Sequence, residues 1–404
     1  MTDPTTEATQ PAGPLAGMKV LELSTVLAGP YCAMVLADLG ADVVKVEPPA
    51  GDATRGYGPP WIETSDGKER VAAYFLSINR NKRSVRLNLR DEKARAALGR
   101  LVGWADVLIE NFRPGGLDKV GLGEARLTEL KPDLIHLSIT GYGPTGPDAR
   151  KPGYDFIAQA VGGLMSVTGF AQDDSGEPTK VGVAMSDILT GLLGAVGVLA
   201  AVRSGVGQRI DVSLLESTLA ALINQAQNAF VSGEQPRRWG NAHPNIVPYE
   251  TFATADGQIA VAVGSERQWP RLCHVLGLDH LATDLRFADN DARVRNRADL
   301  RPLIANRFAT QPASAWLAAL DAADVPAGQV NDVAAAFAQP QAVARDMRQT
   351  VAHPRLGQIQ QIGLPYKLSA TPASIRSAPP LLGEHTAEVL AELGFSDEEI
   401  AALT

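Results

Sequence analysis

Short apolar runs and helix-spaced stretches alternate over the first half of the chain. Lys19–Ser24 (KVLELS) is mostly apolar and short enough for one strand, and Thr25–Pro30 (TVLAGP) reads as a turn. Pro30 suits the first turn of a helix, Tyr31–Leu39 has helical spacing, and Gly40 is a natural stop. Asp42–Glu47 (DVVKVE) is a second strand. A β-loop-α-β unit of about 30 residues is the size of a parallel crossover. Strands at Ser84–Leu89, Val107–Glu110 and Leu134–Ile139 repeat the pattern, with a charged helix over Asp91–Ala105. This half is α/β, with a parallel sheet and Rossmann-like winding.

The pattern shifts after Gly205–Gln208. Arg209–Val212 reads as a strand leading into a helix over Leu214–Phe230. Tyr249–Val263 reads as two strands joined by the Asp256-Gly257 turn. Helical segments fill Arg267 to Ala323, and strand character returns at Val325–Val330. A strand at Leu364–Ser369 and a helix at His385–Leu393 close the chain. The expected division is a leader at 1–14, a large domain from 15–224 and 331–404, and a smaller α+β domain at 225–330.

Composition narrows the function classes. Hydrophobic residues make up 45% and charged residues 20%, a globular mixture. The net charge of −8 argues against nucleic acid as a partner, since that affinity rests on cations meeting phosphate. Two separated cysteines, Cys32 and Cys273, fit a reduced, cytoplasmic protein. The polar start lacks the basic and apolar parts of a secretory signal. The most apolar stretch, Ile188–Val202, is too short to span a bilayer and holds three glycines, so a buried core helix is expected there and no membrane partner.

The chemistry-bearing segments follow strand ends. The first turn has Gly29 followed by Pro30 and lacks the G-x-G-x-x-G glycines, so Glu47 after the second strand does not make a nicotinamide-dinucleotide site. Asn79–Ser84 (NRNKRS) is a basic turn, either solvated or a pocket for the phosphates of a nucleotide cofactor. Asn111–Lys119 (NFRPGGLDK) adds Arg113, Lys119 and two glycines at a strand end. Gly141–Pro147 is a turn cluster after another strand, and the glycines of Gly153-Tyr154-Asp155 and Ala160–Gly163 can bring backbone N–H groups near a ligand. Asp187 stands before an apolar helical run. Two compatible readings stay open: a helix N-cap, and a carboxylate held ionised by the helix N-terminus, able to attack a thioester. The six histidines show no HExxH spacing, and no G-x-S-x-G elbow is present.

Taken together, VLELSTVLAGPYCAMVLADLGADVVKVEPP, SINRNKRSV, DVLIENFRPGGLDKVGLG, SITGYGPTGP, PGYDFIAQAVGGLMSVTG, VGVAMSDILTGLLG and APPLLGEHT resemble the family III CoA-transferases, which include the α-methylacyl-CoA racemases. The motifs run in family order over nearly the whole chain. The resemblance implies a Rossmann-like large domain built from both chain ends, a small domain, and a homodimer of subunits interlocked like chain links. It implies coenzyme A as co-substrate and no metal. It places Asp187 as the catalytic nucleophile, and Thr25, Val26, Leu27, Ala28, Gly29, Asn79, Arg80, Asn81, Lys82, Asn111, Phe112, Arg113, Lys119 and Tyr154 along the CoA site. Backbone N–H groups near Gly162 and Gly163 are expected to stabilise oxyanions.

Two departures select within the family. Racemases resemble the form GHD where this chain has Gly153-Tyr154-Asp155. A phenol, with an ordinary pKa of about 10, is a poor proton shuttle at neutral pH, so transferase is favoured over racemase. Arg237–Tyr249 (RRWGNAHPNIVPY) departs from the glycine-rich loop of the formyl-CoA:oxalate transferases and resembles the succinyl-CoA:glutarate (hydroxymethylglutarate) CoA-transferases. Arg237, Arg238 and His243 are then expected to meet the far carboxylate of a dicarboxylic acid, the alternative being surface charge on a loop. Pro48 stands where some relatives carry Arg, so one phosphate contact is expected to be absent or replaced. A non-catalytic CoA- or nucleotide-binding protein is the alternative from another class.

Overall fold

A computed structural model of the chain describes residues 13–172 and 176–403. It separates into two compact units: one holds the chain up to Leu164, Val181–Ile223 and Pro340 onward, the other Met165–Lys180 and Asn224–Gln339. The leader expected at 1–14 lies, as far as residue 12, outside the described residues. Beyond that point the chain packs: the Leu15 N–H donates to the Leu39 carbonyl at 2.9 Å.

The first unit is built on six strands: β1 (Lys19–Glu22), β2 (Asp42–Glu47), β3 (Lys82–Arg86), β4 (Val107–Glu110), β5 (Ile135–Thr140) and β6 (Arg209–Ser213). They pair in the order β3-β2-β1-β4-β5-β6, every pair parallel. This is the strand order of a doubly wound dinucleotide fold, whose ligands bind at the carboxyl ends where the order reverses. Here the reversal lies between β1 and β4.

Both faces of the sheet are covered, which is why its strands read as apolar runs rather than alternating ones. Successive residues of β1 serve opposite faces. Leu21 packs in a core with Leu98 and Leu101 of α2 (Glu92–Trp104). Val20 packs with Leu36 of α1 (Ala28–Asp38) and Val198 of α4 (Met185–Ser204). Between α2 and α4 comes the short α3 (Asp155–Val161).

Helix α4 runs for 20 residues, longer than the stretch expected from sequence, and by length and composition alone it would suit a membrane. Its glycines explain its place in the core. A Cβ at Gly191 would come within 2.6 Å of the Ala28 carbonyl, and one at Gly194 or Gly197 within 3.0 Å of Leu137 or Ile210. Glycine at every third position lets the helix backbone lie directly on α1 and the sheet. Leu192, Leu193 and Val196 face outward and are exposed.

Other expectations shift. The helix expected over Leu214–Phe230 is two: α5 (Leu214–Ala220) and a helix at Ile223–Ser232, with Ile223 in the left-handed region (φ 37°) where the chain leaves the first unit. Leu364–Ser369 is not a strand, as Pro365 removes a ladder donor. The hairpin instead pairs Arg348–His353 with Gly357–Ile362.

The second unit is α+β. Its antiparallel sheet orders Ala327–Gln329, Gln258–Ala262 and Tyr249–Ala253. Phe252, Ile259, Trp269, Phe308 and Trp316 form its core. It extends beyond the expected 225–330 at both ends and includes the separate segment Met165–Lys180.

Candidate active site

A cleft of about 190 Å³ opens in the first unit at the carboxyl ends of β1, β4 and β5. Thr25–Ala28 follow β1, Asn111–Pro114 follow β4, and Thr140 ends β5 with Gly141 after it, so three strand ends and their loops form its walls. Lys151–Tyr154, Asp187 and Leu214 complete it. Two loops meet at glycines: a Cβ on Gly153 would lie 2.3 Å from the Gly141 Cα. Only glycine permits that approach, and it sets Tyr154 and Asp155 at the start of α3.

Asp187 is the third residue of α4, not its N-cap, which is Ala184. The cap comes from elsewhere in the chain. Asp155 Oδ1 accepts the N–H groups of Ser186 at 2.8 Å and Asp187 at 3.4 Å, and Gln159 Nε2 donates to its Oδ2 at 2.7 Å. The helix-end donors that were expected to hold Asp187 ionised are thus taken by a second carboxylate. Burial, and then the charge of Asp155, push the Asp187 carboxyl up to about 7. Desolvation and like charge outweigh the helix terminus. The same two carboxylates raise Tyr74: burial first, then Asp187 and Asp155, push its phenol up to about 12. Tyr74 in turn packs edge-on against Tyr57, centroids 5.6 Å apart. Sequence reasoning passed over Tyr74 and quoted Asp155 only as part of a motif. Neither carries a local signal, because their relation to Asp187 exists only in the folded chain.

The expected CoA-site residues divide. Thr25, Val26, Leu27, Ala28, Asn111, Phe112, Arg113 and Tyr154 line the cleft with Asp187. Arg113 is exposed and, among the described residues, has no carboxylate partner; Lys151, missed in the sequence, also lines the cleft and pairs with Asp148 at 2.8 Å. Gly29 lies behind the wall, where its Cβ would meet Ser24 Oγ at 2.2 Å. Lys119 is exposed at the end of the short helix Gly116–Lys119 and does not line the cleft.

Asn79–Lys82 require a correction: the turn is neither solvated nor open to a phosphate. All four residues are buried. Arg80 pairs with Asp38 at 2.7 Å, Asn81 Nδ2 donates to the same carboxylate at 2.8 Å, and Lys82 pairs with Glu22 at 2.9 Å. Buried cations must be paired, so these are committed inside the chain. Gly162 and Gly163 also need correction as oxyanion donors. Their N–H groups close the end of α3, bonding the Ala158 and Ala160 carbonyls at 2.8 and 3.4 Å.

Arg237, Arg238 and His243 belong to the second unit. Trp239 carries the guanidinium groups of Arg237 and Arg297 at 4.1 and 4.0 Å from its ring centre. Arg238 donates to the carbonyls of Gly176 at 2.6 Å and Phe170 at 3.3 Å. His243 Nδ1 accepts the Asn245 N–H at 3.0 Å, which leaves the proton on Nε2. Burial, then the charge of Arg297, lower the His243 imidazole from its usual value.

A family model described as CoA-transferase family III matches residues 15–386. A succinate–glutarate CoA-transferase of Agrobacterium fabrum is 45% identical over 94% of this chain and 96% of its own. A human succinyl-CoA:glutarate CoA-transferase is 40% identical over 96% of this chain and 88% of its own. The crystal structure of a CAIB/BAIF family protein from Brucella suis superposes with a TM-score of 0.84, at 45% identity, covering 95% of this chain and 100% of that one.

Proposed function

The chain belongs to CoA-transferase family III, and from that premise we propose that it moves CoA from succinyl-CoA to a second dicarboxylic acid, with Asp187 as the covalent nucleophile. The observation that carries the assignment is the position of Asp187. It lines a cleft at the sheet's switch point near a second carboxylate, and no cation among the described residues neutralises it.

Ionised Asp187 attacks the donor thioester carbonyl; the C–S bond breaks and CoA leaves as thiolate, giving a mixed succinyl–aspartyl anhydride. The thiolate attacks the aspartyl carbonyl, releasing succinate and leaving an aspartyl-CoA thioester. The acceptor carboxylate attacks that thioester and expels the thiolate, forming a second anhydride. Attack of the thiolate on the acceptor's acyl carbon releases the new acyl-CoA and restores Asp187. Each intermediate remains activated, so the thioester's energy is kept as long as water is excluded.

Arg113, which has no carboxylate partner among the described residues, is a cation at the cleft available for the CoA phosphates, while Arg80 and Lys82 are withdrawn from that role by their internal ion pairs. Arg237, Arg238 and His243 are assigned to the acceptor's far carboxylate, Arg237 by charge and His243 by its Nε2–H. We assign the protein to the cytoplasm as a homodimer of interlocked subunits. Supporting that assembly, Phe156 and Val161 of α3 and Leu192 and Val196 of α4 leave apolar surface exposed.

The test is a matrix of acyl-CoA donors against carboxylate acceptors, read by mass spectrometry, with succinyl-CoA and glutarate as the leading pair. Formation of glutaryl-CoA, lost in Asp187→Ala, supports the assignment. The absence of exchange for every pair, with CoA still bound, favours a non-catalytic binding protein. Solvent deuterium entering the α-carbon of a branched acyl-CoA during turnover would indicate the racemase.

A further inference from the structure

The turn that walls the cleft, Ser24–Ala28, has an unusual backbone. Val26 sits at φ 69°. A β-branched residue in the left-handed region is a conformational outlier, held only where its surroundings over-determine it.

The restraints are side chains from β2, from the loop after it and from the end of β4. The Lys45 ammonium donates to the Ser24 carbonyl at 2.8 Å and pairs with Asp52 at 3.0 Å and Glu22 at 2.8 Å. Asp52 Oδ1 accepts the Val26 N–H at 3.4 Å. Between them, Asn111 Oδ1 accepts the Thr25 N–H at 3.0 Å and its Nδ2 donates to the Thr25 carbonyl at 2.8 Å. Three consecutive residues of the turn are thereby gripped. Asp52 is itself aimed, since its Oδ1 also accepts the Thr54 N–H and hydroxyl at 2.9 and 2.7 Å, and its own N–H donates to Glu47 at 2.9 Å.

Lys45 and Asp52 have no exposed side-chain surface. A buried ion pair adds little net stability over apolar residues of the same volume, so stability alone is a weak reason for one here. Its two members contact the turn on either side of Thr25. We propose that the Lys45–Asp52 pair is a positioning device: it holds the Ser24–Ala28 turn, with Val26 in its left-handed conformation, as the preformed wall on which a CoA thioester is received. This rests on the reading of the cleft as a CoA site. Neither residue lines the cleft; both act through the turn.

The test replaces both charges together, Lys45→Met with Asp52→Leu, so that neither partner is left buried and alone. Hydrogen exchange of the full chain is followed at residues 24–28 and at β1, and CoA affinity is measured by calorimetry. Exchange at 24–28 is expected to quicken by about tenfold or more while β1 stays protected. CoA affinity should fall by about tenfold. Adding Val26→Gly, which adopts positive φ without strain, should restore part of that affinity. Unchanged exchange at the turn, or equal loosening of turn and strand, overturns the proposal. So does a loosened turn with unaltered CoA affinity. A wild-type protein that binds no CoA defeats the functional reading instead, and the exchange result still decides whether the pair clamps the turn.

Discussion

Two groups of carboxylates lie within one unit and are treated in opposite ways. Behind the β1 turn, Glu22, Glu47 and Asp52 meet Lys45, Lys82 and Arg55 at ion-pair distances of 2.6 to 3.0 Å. Asp187 lines the cleft, Asp155 accepts the N–H groups at the start of α4, and neither carboxylate has a cation partner among the described residues. The first group is fully buried and neutralised; the second is half-buried and is not neutralised. The first arrangement lowers Glu47 and Asp52 despite their burial, while the second raises Asp187. A carboxyl pushed to about 7 by desolvation and a like charge is poised to gain or lose its proton at working pH, the mark of a group kept for chemistry.

The comparison breaks most directly at the nucleophile. Asp187→Asn should lower the transfer rate by about a thousandfold or more, with CoA affinity within a few-fold of wild type, as measured by turnover and calorimetry. The same variant should be the more stable protein at high pH. Because the folded-state value of Asp187 lies above its unfolded one, the protonated group favours folding at low pH. That contribution is lost as pH rises from the ordinary carboxyl range through about 7. Thermal melts should therefore show Asp187→Asn gaining on wild type near pH 8 and matching it near about pH 4.

The opposite sign is expected in the paired cluster. Glu22→Gln removes the carboxylate shared by Lys45 and Lys82 and should cost about 3 kcal/mol in denaturant unfolding. A stabilised variant would show that the cluster is not neutralised as described.

A smaller effect sharpens the second group. Asp155→Asn keeps an oxygen for the α4 amides but removes the charge that raises Asp187. The acidic limb of kcat/KM, set by ionisation of Asp187, should move to lower pH. An unmoved limb would mean that burial alone sets it. Smallest of all, Arg113→Ala should weaken CoA binding by about tenfold, and more at low salt than at high.

Much of this was legible along the chain. The β1 and β2 strands, the Gly40 stop at φ 113° and the antiparallel pairing around Asp256-Gly257 follow from local patterning. Asp187 was identified through the run of motifs around it. The basic turn at Asn79–Lys82 was misread because its partners, Asp38 and Glu22, are more than 40 residues away along the chain. The strand expected at Leu364–Ser369 was misplaced because apolar content outweighed the proline within it.

The sequence by itself determined the α/β class, the strand-end loops and the family, since each rests on residues close in the chain or on motifs in fixed order. Only the tertiary structure decided which charges are spent and which are left to act. Asp155 caps the helix that carries Asp187, and Lys45 and Asp52 grip a turn some 20 to 30 residues before them. The physical reason is that a carboxyl's ionisation depends on what surrounds it in space, and folding sets those surroundings.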